Sequence, residues 1–243
     1  MHLLMTRPET EGEADPLETS LIASGHKVTR APLLAVIYSG TMPSLDGVQA
    51  LIATSRNGLK AIANSLPPTA LTLPLFAVGP ATAALGRSLG FPRVIEGAGT
   101  GQALHELIAA TVRPEAGSLV HLAGDKLAYD LKDALGADGF SVHTEVVYQT
   151  REAGEFPASV VDTFRAGGFD GVILMSPRTA RVYARLIHAS GLSSAVGSAV
   201  HFCLSEAVGQ ELAGLAPVRI EVARLPNSQE MLALIAHEAS DSS

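Results

Sequence analysis

The chain has one cysteine, no tryptophan and 5% aromatic residues over 243 positions. A single cysteine excludes a disulfide framework and a multi-cysteine zinc site. Hydrophobic residues make up 47% of the chain, yet no run approaches the roughly 20 apolar residues of a membrane helix. The start, MHLLMTRPE, lacks the charged segment, apolar core and small-residue cleavage site of a secretory signal. Basic residues are also scarce: 17 Lys and Arg against 24 Asp and Glu give a net charge of −7, with no Lys/Arg run. That balance, with so few aromatics, argues against duplex DNA or stacked single strands as main partners. It leaves room for a small anionic ligand, because a few oriented N–H groups and arginines make a local positive site on an acidic protein. The expectation is a soluble, cytoplasmic protein.

Familiar catalytic motifs are missing too. There is no GxxxxGK[ST] loop, no HExxH and no GxSxG elbow. Gly97-Ala98-Gly99-Thr100-Gly101 is glycine-rich but fails GxGxxG, because position 102 is Gln. The eight histidines are scattered without metal-ligand spacing on one helix and read as surface or satisfied core residues. Cys203 lies in an apolar run and reads as a small hydrophobe.

What the chain does have is a rhythm of short apolar runs, polar turns and amphipathic helices. The runs are His2–Met5, Gly47–Ala53, Leu73–Val78, Ser118–Leu122, Phe169–Met175, His201–Leu204 and Val218–Val222. Strands alternating with helices predict an α/β fold with parallel sheets flanked by helices on both faces. Helix starts are marked by a capping residue, often with proline at the first helical position: Asp15-Pro16, Gly79-Pro80, Thr100-Gly101, Ser176-Pro177, Ser205-Glu206 and Asn227-Ser228. Helices should stop at Gly25 and near Gly191, and the last residues, 240–243, should fray.

The two halves resemble each other. Arg56 aligns with Arg178, Gly79 with Ser205, Gln102 with Gln229 and Gly25 with Gly139. Two copies with a long period mean a duplicated domain rather than a solenoid. Two β-branched segments, Leu33–Tyr38 and Glu145–Thr150, stand outside the rhythm and are candidate interdomain connections. The stretch Arg151–Pro157 would follow the second as a linker.

The remaining polar residues sit at strand-to-helix turns: Thr6-Arg7, Thr54-Ser55-Arg56-Asn57, Gly79 to Thr82, Thr100-Gly101, Gly124-Asp125-Lys126, Ser176-Pro177-Arg178, Ser205 and Asn227-Ser228. In a parallel sheet all such turns lie at the carboxyl edge, where open α/β folds bind ligands. Each presents unpaired N–H groups at the positive end of a helix. Two domains with these edges facing each other would line one cleft and suit a ligand with many carboxylates. Helix capping alone accounts for Ser, Thr, Asn and Gly at such places. It does not account for Arg7, Arg56 and Arg178, because the dipole disfavours cations in a first turn. These three point to ligand contacts or to acidic partners. Tyr148, on a connecting segment, can offer a protonated phenol to a leaving oxygen or simply pack on the hinge.

With MTRPE, LIASGHKVTRAPLLAV, ATSRNG, AVGPATAALGRSLGF, VVYQT, MSPRTARVYARL and PNSQEMLALIA in this order, the chain resembles the uroporphyrinogen-III synthase family over most of its length. The resemblance implies two similar α/β domains joined by a two-stranded β connection that the chain crosses twice. One domain would combine residues 1–33 with 152–243, the other would be 40–145, and 34–39 and 146–151 would be the interdomain strands. It implies closure of hydroxymethylbilane, a linear tetrapyrrole with eight carboxylates, to uroporphyrinogen III with loss of water and inversion of ring D. It implies no metal or organic cofactor, and a monomer. Residue by residue, Tyr148 matches the family's connecting-strand tyrosine, the candidate for assisting hydroxyl loss. Thr54 and Ser55 match the Thr-Ser turn of the middle domain, and Thr82 matches a threonine of the VGxATA-like segment. Ser176 matches the turn of the other domain, and Arg7 the basic residue of the first turn. Arg56, Gly79, Thr100, Lys126, Arg178 and Ser205 complete the set expected to bind substrate. The chain departs from the family at Cys203-Leu204-Ser205-Glu206-Ala207, where many members have a Gly-Pro-Thr-like turn. Two other functions remain open: a non-catalytic two-domain clamp for an anionic small molecule, and a synthase-like domain without activity.

Overall fold

The computed structural model describes residues 1–8, 15–215 and 217–241. In chain order the elements are β1 (His2–Met5), α1 (Pro16–Ala23), β2 (Lys27–Arg30), β3 (Leu34–Tyr38), β4 (Val48–Ala53), α2 (Arg56–Ile62), β5 (Leu75–Ala77), α3 (Pro80–Ser88), β6 (Val94–Glu96) and α4 (Gly101–Thr111). There follow β7 (Ser118–Gly124), α5 (Leu131–Ala137), β8 (Val142–Glu152), α6 (Ala158–Arg165), β9 (Gly171–Leu174), α7 (Pro177–Ala189), β10 (Val200–Cys203), α8 (Glu206–Gln210), β11 (Arg219–Val222) and α9 (Ser228–Asp241). Four of the predicted starts carry a side-chain cap, at Asp15, Thr100, Ser176 and Asn227, whereas Gly79 and Ser205 make none. Asp15 accepts from Leu17 N ahead of Pro16, and Ser176 accepts from Thr179 N ahead of α7. Ser240 and Asp241 are helical rather than frayed, with the Ser240 hydroxyl bonded to the Ala236 carbonyl, while 242 and 243 lie outside the described residues.

The chain divides into two units, residues 1–35 with 151–243, and residues 36–150. The first holds a five-stranded sheet in the order β11-β10-β9-β1-β2, and the second a six-stranded sheet in the order β3-β8-β7-β4-β5-β6. The ladders joining β11, β10, β9, β1 and β2, and those joining β8, β7, β4, β5 and β6, are all parallel. Each sheet is covered on both faces, which is why its central strands read as continuous apolar runs. In the first unit Phe164, Tyr183 and Leu186 pack on one face, and Leu17, Leu21, Met231 and Ile235 on the other. In the second, Leu59 and Ile62 of α2 cover one face, and Leu104 and Ile108 of α4 with Leu131 and Leu135 of α5 the other.

The internal similarity holds in three dimensions. Matching β9, β10, β11, β1 and β2 with β4, β5, β6, β7 and β8 superimposes the two strand orders. The aligned Gly25 and Gly139 end α1 and α5 with φ of 83° and 88°, the left-handed conformation that glycine adopts at no steric cost. Each half of the chain therefore supplies strands to both sheets.

The connecting segments differ from the sequence expectation in one respect. Arg151 and Glu152 are not linker: β8 runs unbroken for 11 residues through Glu152. The ladder explains this. β3 lies beside β8, and bonds from Ser39 N to the Val147 carbonyl and from Ala153 N to the Leu33 carbonyl hold the two antiparallel.

One stability prediction arises here. Gly58 of α2 lies so close to β7 that a β-carbon on it would sit 2.5 Å from the Leu122 carbonyl oxygen. Backbone has nowhere to retreat, so Gly58→Ala should cost about 1–3 kcal/mol, toward the upper end. Urea unfolding of the second unit's signal checks it.

Candidate functional site

At the carboxyl edge of the six-stranded sheet, Thr54 follows β4, Gly79 follows β5, the glycine loop 97–101 follows β6, and Lys126 follows β7. A cleft of about 570 Å³ opens at this edge, lined by Thr54, Thr100, Lys126 and Tyr148 together with Val78, Gly99, Gly101, Gln102, Gly124, Leu127, Ala128 and Tyr129. All of these belong to the second unit.

Tyr148 reaches the cleft through an irregularity in β8. Ala123 of β7 pairs with Val146, but the next residue, Gly124, pairs with Tyr148, leaving Val147 as an extra residue. Such a bulge re-aims the side chain that follows it. Val147 turns into the core beneath α2, and Tyr148 lies across Gly124. A β-carbon on Gly124 would meet the tyrosine ring at 2.6 and 2.7 Å and its oxygen at 2.8 Å. Asp125 fixes the backbone on both sides: its N–H donates to the Tyr148 carbonyl at 3.2 Å, and its Oδ1 accepts from Thr150 N at 3.2 Å. The phenol oxygen itself has no hydrogen-bond partner among the described residues, so it is free for a ligand.

Thr54 Oγ1 is 2.9 Å from Nε2 of His121, a residue 1% exposed on β7. Burial pushes the imidazole down to about 4, with Asp130 opposing the shift, so His121 is neutral at physiological pH. Thr100 caps α4 by accepting from Ala103 N. The far wall is Tyr129, stacked against Gly101, with its hydroxyl 3.3 Å from His105 Nδ1 and His105 Nε2 in turn 2.7 Å from Asp138. That chain of contacts holds the wall and leaves its ring toward the cleft. The remaining expected residues of this unit do not line the cleft. Ser55 caps α2 through Asn57 N, Arg56 is exposed, a β-carbon on Gly79 would sit 3.3 Å from the Gly99 Cα, and Thr82 is 4% exposed on α3.

In the first unit Arg7, Ser176 and Ser205 follow β1, β9 and β10, three adjacent strands, at the carboxyl edge of that sheet. Two of the first-turn arginines have acidic partners. Arg7 pairs with Asp15 at 3.2 Å and Arg178 with Glu152 at 3.2 Å. Ser176 is a cap, whereas the Ser205 hydroxyl makes no capping bond. Glu206 is exposed at the first position of α8, where the helix dipole favours an acid. Cys203 is fully buried, which pushes its thiol up to about 12, as a small hydrophobe requires. Among the described residues no group of His, Cys, Asp and Glu is arranged to hold a metal ion.

Sequence reasoning missed His121, Leu127 and Tyr129, and took Gly124 only as part of a polar turn. Contrary to the satisfied-core reading, His121 leaves its Nδ1 without a partner among the described residues. The apolar neighbours of His121 on β7 gave no sign that it touches the edge. The clue was the pairing of β7 with β4, which brings a strand histidine beside the first residue past a strand end.

Residues 15–233 match the family model described as Uroporphyrinogen-III synthase HemD. Among solved structures, the chain is similar to the uroporphyrinogen-III synthetase of Helicobacter pylori, with a TM-score of 0.62 and 16% identity, over 98% of this chain and 100% of that one. It is similar as well to a mutant uroporphyrinogen III synthase of Thermus thermophilus, with a TM-score of 0.50 and 15% identity, over 99% of each chain. At these identities the likeness to the solved structures is one of fold. No curated protein matches the chain.

Proposed function

Because the chain belongs to the uroporphyrinogen-III synthase family, lyases of haem biosynthesis that close hydroxymethylbilane to uroporphyrinogen III, we propose that it carries out this closure with Tyr148 as the group that assists hydroxyl departure. The observation that carries the reading is the Tyr148 phenol, without a hydrogen-bond partner among the described residues and set over Gly124 in a cleft that also holds Thr54, Thr100 and Lys126. Phenols carry their proton at neutral pH and can donate it in a hydrogen bond. The phenol passes its proton to the leaving hydroxyl of hydroxymethylbilane, water departs as the bond to the terminal methylene breaks, and the proton that ring D later releases on closure restores the phenol. The cation left behind is attacked by ring D in the inverted sense, through the spiro-pyrrolenine that the family resemblance implies. The uncatalysed closure gives the I isomer, so the protein must hold the chain in one conformation, an orientation effect. Lys126 and the hydroxyls of Thr54 and Thr100 bind substrate carboxylates in the second unit. Ser176, Arg178, Ser205 and Arg7 do so in the first, and Ser55, Arg56, Gly79 and Thr82 shape the turns. The reading extends to a cytoplasmic monomer that needs no cofactor. Among the described residues no helix is long and apolar enough to cross a membrane.

The test is the product isomer. Hydroxymethylbilane is generated in situ, the protein is added, and the oxidised products are separated chromatographically. The III isomer should predominate. Only the I isomer, at the spontaneous rate and with folded protein, would overturn the enzyme reading and favour a binding module.

Truncating one turn hydroxyl should weaken the enzyme without abolishing it. Ser55 caps α2 behind the cleft, so Ser55→Ala removes a cap contributing about 1 kcal/mol and should lower III-isomer formation by far less than about 100-fold. A loss of that size in the same assay would contradict the placement.

A further inference from the structure

We propose that His121 is a positioning residue that fixes the polarity of Thr54: its Nε2–H donates to Thr54 Oγ1, so the threonine proton is presented to the cleft and selects an acceptor such as a carboxylate oxygen. The identity of that acceptor rests on the function proposed above; the orientation of the hydroxyl does not.

His121 lies in the middle of the sheet, paired in register with Ile52 of β4 and Thr144 of β8. A neutral imidazole carries one N–H, on either nitrogen. Nε2 stands 2.9 Å from Thr54 Oγ1. Nδ1 has no partner among the described residues, and neither has Oγ1 of the neighbouring Thr144. With the proton on Nδ1, a buried N–H would be left without an acceptor, and orphaned buried donors are rarer than under-satisfied acceptors. With the proton on Nε2, only a lone pair is left bare and the N–H is satisfied by Thr54. Thr54 Oγ1 then accepts from below and retains its own hydrogen. That hydrogen has no other described partner, and Thr54 faces the cleft. The alternative tautomer would use up the hydroxyl proton on Nε2 and turn an acceptor toward the ligand, which would repel a carboxylate. Because a protonated imidazole would also donate from Nε2, the orientation survives acidification. His121 thereby makes one wall of the cleft a fixed donor, without touching the ligand itself.

Two arms test this on the whole chain. In the first, nitrogen-15 NMR of the histidine-labelled protein at neutral pH reads the tautomer, and the His121 signal is assigned by its shift in Thr54→Val. A protonated Nε2 is expected, and a protonated Nδ1 overturns the proposal. In the second, Thr54→Val, which keeps the shape and removes the hydroxyl, should raise KM for hydroxymethylbilane about tenfold with kcat within about threefold, and Thr54→Ser should restore it. His121→Phe should raise KM similarly, and the double variant should be no worse than the worse single one. A His121→Phe variant that melts lower while KM is unchanged shows a structural role and overturns the proposal. If His121→Phe does not fold, Thr54→Val and the tautomer decide. If the wild type forms no III isomer, the enzyme reading fails, and the tautomer alone upholds or overturns the orientation of Thr54.

Discussion

Tyr148→Phe is expected to lower III-isomer formation by about 100-fold, the lower end of what a positioned proton donor contributes, and Gly124→Ala should lower it comparably while leaving the phenol in place. The second half follows from the geometry of the bulge. The Val147 insertion lays Tyr148 across Gly124, and a β-carbon there would stand 2.6 Å from the ring. No side chain tolerates that approach, so the ring of Gly124→Ala must swing away and carry its oxygen with it. Misplacement by an ångström is enough to cost large factors in rate. The coupling separates this from general damage. In a Tyr148→Ala background the ring is gone, and adding Gly124→Ala should cost nothing further in rate and should not lower the melting temperature. These four variants beside the wild type in the isomer assay, with circular dichroism to confirm folding, decide the matter. If Tyr148→Phe keeps wild-type turnover, the assignment of the phenol fails. If Tyr148→Phe is impaired and Gly124→Ala is not, the phenol stands and the dependence on Gly124 falls.

The features that could be read from residues alone are those that local chemistry dictates. Asp15-Pro16 and Ser176-Pro177 start α1 and α7 because an acceptor side chain and a proline satisfy the first helical turn whatever lies around them. The central strands β4 and β9 announce themselves because both faces of their sheets are covered. β6, three residues at the edge of its sheet and ending in Glu96, carries no such run. The features that were not legible depend on register. Nothing in VVYQT marks Val147 as an extra residue, since a bulge exists only relative to the strand it pairs with. Likewise, Leu119 to Leu122 read as a buried strand containing a histidine. Only the pairing of β7 with β4 shows that the histidine stands under Thr54. The first-turn arginines were ambiguous for the same reason: the partners of Arg7 and Arg178, Asp15 and Glu152, come from positions whose proximity is a matter of fold.

Acid should destabilise this protein before its carboxylates titrate. His121 in the second unit and His201 in the first are 1% and 0% exposed. Burial pushes both down to about 4 from the ordinary value of 6.5, and for His201 the backbone of Arg219 and Ala199 opposes the shift. Tyr183 lies 2.9 Å from His201 Nε2 in the same core. The unfolded chain therefore takes up protons between pH 6.5 and 4 that the folded chain refuses. Stability is fully present above pH 6.5, falls as the pH drops toward 4, and gains no further loss from these groups below that. Each histidine contributes about 3 kcal/mol over the window, against about 5–15 kcal/mol for a typical domain. His26, lowered by partial burial and by the adjacent amino terminus, adds in the same direction. The lowered carboxylates, Glu18 held by Arg30 and Glu211 held by Arg181, lose their contribution only as the pH falls below 4.5. The window from 6.5 to 4.5 thus belongs to the histidines. The urea midpoint should fall markedly from pH 7 to pH 4.5, with up to one proton taken up per buried histidine. His201→Phe should remove one of them, flattening the pH dependence of the first unit while leaving that of the second. A midpoint equal at the two pH values would mean that both imidazoles are charged, or hydrated, in the folded protein.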